Sequence, residues 1–112
     1  MICDVGDVAI VPFPFTDMAV SKYRPALVIS RQSFNEDNAN TILAMITTAR
    51  GSAWPSDILL ADPVAAGLTQ ECYVRWKVFT LPNDLLRRSI GQIGSKDRKT
   101  VLAALSSTFG KR

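Results

Sequence analysis

The sequence predicts a small, mainly β fold with one helix at its C-terminal end. Short apolar segments, about five or six in all, alternate with polar stretches that contain Gly, Pro, Asn or Asp, which is the pattern of strands joined by turns. The segments lie too close together for the helical crossovers that parallel strands need. We therefore expect a small, strongly bent barrel rather than a parallel α/β sheet, and the 112 residues fit a single domain spanning 1–112.

Four apolar segments are the clearest strands. The second is apolar at successive positions, which predicts a strand that is buried on both faces. The fourth alternates, with Arg75 and Lys77 on the side opposite Trp76, and this predicts a half-exposed strand. The four segments are Val8–Phe13, Pro25–Ser30, Thr41–Thr47 and Cys72–Leu81.

The segments between and after these strands are shorter or more polar. Asp57–Leu60 and Ser89–Gly94 predict two brief strands, whereas Gln32–Asn40, which is rich in Asn, Asp and Ser, predicts a loop. We expect Pro82 to open a short helix through about Arg88, since proline is tolerated at the first helical position.

The C-terminal segment has the spacing of an amphipathic helix. Ser95 is the predicted N-cap. Val101, Leu102, Leu105 and Phe109 then recur at helical spacing and predict one apolar helix face.

Composition excludes several kinds of site. The chain has no histidine, which excludes histidine-based nucleophilic triads, histidine-rich zinc sites and the two-histidine mode of RNA cleavage. Cys3 and Cys72 lack the spacing of metal ligands, and we expect neither a metal nor a cofactor.

The charge of the chain is unevenly distributed. Residues 1–71 hold four Lys/Arg and eight Asp/Glu, a sum of −4, whereas residues 72–112 hold nine and two, a sum of +7. The basic second half is compatible with a polyanion or an acidic protein partner, and equally with a solvated basic surface.

Nothing in the chain predicts a membrane anchor. No apolar run approaches the ~18 residues of a membrane-spanning helix. The first ten residues, MICDVGDVAI, lack the basic start and apolar core of a signal peptide. We therefore expect a cytoplasmic protein.

Four stretches follow one another along nearly the whole chain: VGDVAIVPFPFTD, KYRPALVIS, ILAMITT and YVRWKVFTL. In this order they resemble the MazF/PemK family, the toxin halves of bacterial type II toxin–antitoxin pairs. The resemblance implies an SH3-like barrel with a C-terminal helix, of the MazF/PemK/CcdB-like toxin fold, usually as a homodimer. It also implies an mRNA interferase, an endoribonuclease that cuts single-stranded RNA at short sequences without a metal and leaves a 2′,3′-cyclic phosphate and a 5′-hydroxyl.

The partner implied by the resemblance is a cognate antitoxin. Its disordered acidic tail would fold over a groove of the toxin, and the toxin would bind DNA only together with this antitoxin. The basic second half of the chain fits such a tail electrostatically.

The resemblance further implies a catalytic pair. The arginine of the family falls on Arg24, by its place in Arg-Pro-x-x-V, and the threonine falls on Thr47, the first Thr after the Ile of the third strand. Thr48 is adjacent, but neighbouring residues of a strand point to opposite faces, so only one of the two threonines can share a side with Arg24.

Arginine and threonine suit RNA cleavage because RNA supplies its own nucleophile, the 2′-hydroxyl. A guanidinium offers a planar fork of donors for phosphate oxygens, and a hydroxyl adds one more donor. Pro25 keeps Arg24 extended. Arginine stays protonated in proteins, so we interpret Arg24 as an electrostatic clamp and candidate proton donor, with Asp17 as a candidate for the base.

Other residues are candidates for contacts with RNA. Trp54 lies in a loop with Gly and Pro and is the best exposed stacking candidate, while Phe15 and Tyr23 are as compatible with core packing as with stacking on bases. Arg75 and Lys77 lie in a region that contributes to the dimer seam and to substrate or antitoxin contacts in the family. The predicted RNA contacts are Phe15, Asp17, Tyr23, Thr48, Arg50, Trp54, Arg75 and Lys77.

Two other functions stay open on the sequence. A CcdB-like toxin of the same barrel class would poison gyrase by binding it and would cut nothing, because a fold does not specify a function. A degenerate barrel would bind RNA or an acidic peptide with strong salt dependence and would not cleave it.

Overall fold

The computed structural model describes residues 1–13, 22–51 and 53–110. Within these residues, strands account for most of the regular structure, and the second of two helices comes last. The elements are β1 (Asp7–Pro12), β2 (Tyr23–Val28), α1 (Gln32–Asn38), β3 (Asn40–Thr48), β4 (Ile58–Leu59), β5 (Cys72–Pro82), β6 (Arg88–Gln92) and α2 (Ser95–Thr108).

The six strands form one curled antiparallel sheet in the order β4-β5-β3-β2-β1-β6. Both faces of its centre are buried. Leu27 belongs to one apolar cluster, whereas Ala26 and Val28 belong to a second cluster on the opposite face. The prediction of a second strand that is buried on both sides is therefore confirmed.

The edge strand β6 is covered by the segment that follows β4. Gly67 has a φ of +77° and lies so close to β6 that a Cβ atom there would be 2.2 Å from the carbonyl oxygen of Ile90. The backbone N–H of Gln92 donates to the carbonyl of Ala65 at 3.1 Å. This contact links the two ends of the curled sheet and gives the fold its barrel-like outline.

The predicted loop Gln32–Asn40 is wrong, because residues Gln32–Asn38 form the helix α1. Its polar composition is typical of a loop, but Asn35 is fully buried and makes tertiary hydrogen bonds. The Asn35 side-chain amide donates to the carbonyl of Cys3 at 2.9 Å and to that of Ser30 at 3.2 Å. Cys3 is 32 residues from Asn35 in the sequence, so the local pattern does not indicate the helix.

The short helix predicted from Pro82 is also mostly wrong. Strand β5 runs through Pro82, a single 3-10 turn spans Asn83–Leu85, and β6 begins at Arg88. The side chain of Asn83 accepts a hydrogen bond from Thr41 at 2.7 Å and donates to the carbonyl of Asn35 at 2.8 Å. The turn is therefore held by tertiary hydrogen bonds rather than by helix propagation.

Helix α2 is in the predicted place but differs in its details. Its N-cap is Gly94 rather than Ser95, and no side chain caps it. Of the predicted apolar face, Val101 is buried and Leu105 is half-buried, whereas Leu102 is 43% and Phe109 is 50% exposed.

Two further features place α2 in the fold. Phe109 and Leu105 line a groove of about 360 Å³ between α2 and α1. The buried Asp97 accepts hydrogen bonds from the backbone N–H groups of Ala61 and Asp62, which attaches the start of α2 to the segment after β4. No helix among the described residues is long and apolar enough to cross a membrane.

Candidate active site

The strand register brings Arg24 and Thr47 to one face of the sheet. Ala26 of β2 pairs with Met45 of β3, and this is the last pair of their ladder. Arg24 and Thr47 each lie two residues beyond this last pair on their own strand. Side chains two residues apart on a strand lie on the same face, so the side chains of Arg24 and Thr47 share the face of the pair Ala26 and Met45, beyond the end of the ladder.

The next strand extends this row. Thr47 pairs with Tyr73 of β5, and Met45 pairs with Arg75. Because side chains alternate along each strand, Tyr73 and Arg75 lie on the same face as Arg24 and Thr47. Arg24 is exposed, whereas the other three residues are half-buried.

The Arg24 guanidinium lies against an aromatic side chain. Its guanidinium carbon lies 5.4 Å from the centre of the Phe13 ring. Phe13 is buried and packs edge-to-face against Phe79, with 6.3 Å between the ring centres. A cation above the face of an aromatic ring is attracted by the ring quadrupole, so these rings support the guanidinium at the strand end.

Arg75 is held by an ion pair from the loop after β3. Its Nε donates to Asp57 Oδ1 at 3.1 Å, and its Nη2 donates to Asp57 Oδ2 at 2.8 Å. The guanidinium carbon also lies 5.1 Å from the ring centre of Trp54, which is 42% exposed. This brings the predicted contacts Arg75 and Trp54 into one group.

The ion pair shifts the acid–base equilibria of both partners. Hydrogen bonds from Arg75, and then one from the Trp54 backbone N–H, lower the pKa of Asp57 below its ordinary value of 3.8. The hydrogen bonds that Arg75 donates to Asp57 raise the pKa of Arg75 above its ordinary value. Both groups are therefore charged at neutral pH. Burial raises the pKa of the thiols of Cys3 and Cys72, which makes them poor nucleophiles.

The structure separates Tyr23 and Thr48 from the row of Arg24 and Thr47. Each is next in sequence to one of these residues, so its side chain points to the other face. Tyr23 is exposed, and the guanidinium carbon of Arg87 lies 4.5 Å from the centre of its ring. Thr48 is exposed at the end of β3.

The remaining predicted contacts are near the row or outside the described residues. Lys77 lies in a bulge of β5, where Ala44 pairs with Val78 but Met45 pairs with Arg75, and is exposed on the Arg75 side. Arg50 is exposed, and its Nη2 donates to Gln70 at 3.4 Å. Phe15 and Asp17 lie outside the described residues.

Sequence reasoning missed three residues of this region. Tyr73 could have been found from the sequence, because it lies two residues before Arg75 and so falls on the same side of the alternating strand as Arg75 and Lys77. Asp57 and Arg87 carry no such signal, because their partners are brought to them only by tertiary structure.

The fold is that of the MazF toxins. The MazE–MazF complex of Deinococcus radiodurans in crystal form III is similar, with a TM-score of 0.77, 19% identity and 100% of both chains covered. Mycobacterium tuberculosis toxin MazF-mt6 has a TM-score of 0.72 and 22% identity, over 92% of this chain and 95% of that one. A mycobacterial endoribonuclease in complex with its cognate antitoxin has a TM-score of 0.71 and 19% identity, over 94% and 92%.

The sequence establishes the family. A model of the PemK-like, MazF-like toxins of type II toxin–antitoxin systems matches residues 4–109, and the chain belongs to this family. No curated protein matches the chain significantly in sequence. The resemblance stated above and the predicted fold class are thus confirmed.

Proposed function

We propose that this toxin is an endoribonuclease that cuts single-stranded RNA at short sequences, without a metal ion, by attack of the RNA 2′-hydroxyl. The observation that carries the proposal is the shared face of Arg24 and Thr47 at the open end of the β2–β3 ladder. A guanidinium and a hydroxyl at neighbouring strand ends offer donors to one phosphate, and donors that are held in place before reaction are typically the largest catalytic contribution.

In the proposed reaction, the 2′-oxygen attacks the adjacent phosphorus while the bond to the 5′-oxygen breaks. The 2′-proton passes to a base that is not assigned, for which Asp17 remains a candidate. Arg24 and Thr47 stabilise the negative charge on the equatorial oxygens, and Arg24 or a water supplies the proton that the leaving 5′-oxygen takes up. The products are a 2′,3′-cyclic phosphate and a 5′-hydroxyl, and no metal takes part.

The test is cleavage of a defined single-stranded transcript by the purified protein in EDTA. We expect cuts at one short sequence, and a loss of at least about 100-fold in rate for Arg24→Ala and Thr47→Ala, the size seen when one preorganised donor is removed. Arg31→Ala and Thr80→Ala are matched controls, since both residues are exposed and lie away from this row.

The chemical ends of the fragments decide the mechanism. A 2′,3′-cyclic phosphate supports attack by the 2′-hydroxyl, and a 5′-phosphate contradicts it. Intact RNA together with inhibited gyrase would support a gyrase poison instead. Intact RNA that is nevertheless bound, with affinity falling steeply as salt increases, would support a degenerate binding barrel.

We also propose that the chain acts as a homodimer and is neutralised by a cognate antitoxin with an acidic disordered tail. Two of the similar structures are complexes of a toxin with its antitoxin, and residues 72–112 of this chain are strongly basic. Light scattering should give the mass of two chains. An acidic peptide from the neighbouring open reading frame should suppress cleavage at low salt and less so at high salt, and a monomer or a salt-insensitive inhibitor would contradict these proposals.

A further inference from the structure

Asp57 joins the loop after β3 to strand β5. Its two carboxylate oxygens accept the Nε and Nη2 donors of Arg75, and Oδ2 also accepts the backbone N–H of Trp54 at 2.8 Å. In return, the Asp57 backbone N–H donates to the Trp54 carbonyl at 2.9 Å. The Asp57 side chain is only 2% exposed and that of Arg75 only 15%, so this connection is shielded from water.

The connection orients an aromatic side chain. Trp54 has its backbone bonded to Asp57, and its ring lies against the Arg75 guanidinium, yet 42% of the residue remains exposed. A ring held in this way loses little conformational freedom when a planar group stacks on it. Every nucleobase has a π-face, and base–aromatic stacking tolerates different sequences.

Arg75, against which the Trp54 ring lies, belongs to the same row of side chains as the proposed phosphate site. Arg75 pairs with Met45, which is two residues from Thr47 on the same strand and face. Ala26, two residues from Arg24, pairs with the same Met45. A step of two residues along a strand is about 7 Å, which is close to the distance between neighbouring units of a single-stranded chain.

We propose that Asp57 is a positioning residue, which holds Arg75 and the loop so that Trp54 forms a stacking surface for a nucleobase next to the phosphate bound by Arg24 and Thr47. This inference rests on the proposed function, because the substrate is taken to be single-stranded RNA. The inference adds that base stacking and phosphate binding depend on different residues, and that Asp57 contributes to base stacking.

The direct test is fluorescence of Trp54. The chain has two tryptophans, and Trp76→Phe leaves Trp54 as the single reporter. The indole N–H of Trp76 is buried and has no hydrogen-bond partner among the described residues, so its removal leaves no acceptor unpaired. The probe is a 2′-O-methylated single-stranded oligonucleotide, which lacks the nucleophile and therefore reports binding alone. It carries the mapped cleavage sequence, or mixed sequence if none has been mapped.

We expect the oligonucleotide to quench Trp54 emission to saturation. In the same background, Asp57→Ala should lose most of this quenching and weaken binding by at least about tenfold, the factor that corresponds to about 1.4 kcal/mol. Asp84→Ala is the matched control, because Asp84 is an exposed aspartate in the 3-10 turn. Circular dichroism checks that each variant is folded. Trp54→Leu and Trp54→Phe lack the reporter, so they are compared by the binding of a labelled oligonucleotide, which repeats the test without changing Asp57; Trp54→Leu should bind more weakly than Trp54→Phe.

Cleavage kinetics separate positioning from a general loss of structure. Asp57→Asn and Trp54→Leu should raise KM and leave kcat within about threefold, since they remove binding that is common to the ground and transition states. Variants that merely unfold part of the protein would lower kcat with KM unchanged, and this result would overturn the inference.

The two proposals fail in different ways. Cleavage that depends on Arg24 while Trp54 emission does not respond to the oligonucleotide overturns the stacking surface and leaves the nuclease intact. Quenching that depends on Asp57 without any cleavage supports the stacking surface and overturns the nuclease.

Discussion

The buried side chain of Asn35 should make a large contribution to stability. It forms three side-chain hydrogen bonds, one accepted from Ser30 and two donated to the carbonyls of Cys3 and Ser30. At about 1 kcal/mol for each bond, Asn35→Ala loses about 3 kcal/mol, and the better helix propensity of alanine returns about 0.5 kcal/mol. We expect the free energy of unfolding to fall by about 2–3 kcal/mol.

The measurement is urea unfolding followed by circular dichroism. Asn38→Ala is the matched control, because it is the same substitution in the same helix at an exposed position, where the side chain donates to the Phe34 carbonyl within the helix. The control should change stability by less than about 0.5 kcal/mol, as is usual for surface substitutions. The slope of the transition should be the same in both variants, since the surface exposed on unfolding hardly changes.

A double-mutant cycle tests whether Ser30 and Asn35 are energetically coupled. The Ser30 hydroxyl donates to Asn35 and also accepts the backbone N–H of Ile42 at 2.9 Å. Ser30→Ala and Asn35→Ala should therefore be non-additive by more than about 0.5 kcal/mol. If Asn35→Ala is as stable as Asn38→Ala, or if the two effects simply add, the buried amide does not hold α1 in place and the explanation given for this helix is wrong.

Three further predictions follow from the described contacts. Gly67→Ala should lower the free energy of unfolding in urea by at least about 2 kcal/mol, because φ is +77° and the new Cβ atom would collide with the backbone. Gly110→Ala is the control and should be neutral, because a Cβ atom there meets nothing within 4 Å. Equal effects of the two substitutions would refute this prediction. The pKa of Asp57 is lower in the folded protein than its ordinary value of 3.8. The carboxylate therefore contributes fully to stability above pH 3.8, and this contribution is lost as pH falls through the folded pKa. The difference in stability between wild type and Asp57→Asn should shrink between about pH 6 and pH 3, and a constant difference would count against the ion pair. Cys3 and Cys72 are buried with raised pKa values, so a disulfide reagent should label them slowly in buffer and at once in urea, and rapid labelling of the native protein would contradict their burial.

The strands could be predicted because their signal is local. Apolar residues at successive positions of Pro25–Ser30 indicated burial on both faces, and the structure places Leu27 and Val28 in opposite clusters. Alternation in Cys72–Leu81 indicated one polar side, and the bulge at Trp76 and Lys77 leaves that alternation intact. Pairing with other strands does not change which side chains of such a segment point to each face, so the local pattern was sufficient to predict the strands.

Helix boundaries were predicted less well because they depend on distant partners. Helix α1 has a polar sequence, and it is held through Asn35 by residues of the N-terminal segment and of the turn before it. Leu102 of α2 and Phe109, which directly follows the helix, have helical spacing but stay exposed, since only the side that carries Val101 meets the sheet. The spacing of apolar residues along a helix does not show how much of the helix surface the rest of the fold covers.

The sequence by itself determined the mainly β fold, the toxin family and the choice of Arg24 and Thr47 as the candidate pair. The fold class depends on burial and side-chain direction, which repeat at fixed intervals along single strands. The family and the pair of residues were implied by the resemblance, which four stretches carry by their order along the chain. Only the tertiary structure decided that Asp57 holds Arg75 against Trp54, and that the Tyr23 ring lies against Arg87. The physical reason is that strand register and loop return are set by contacts between residues far apart in the chain, for which the local pattern carries no signal.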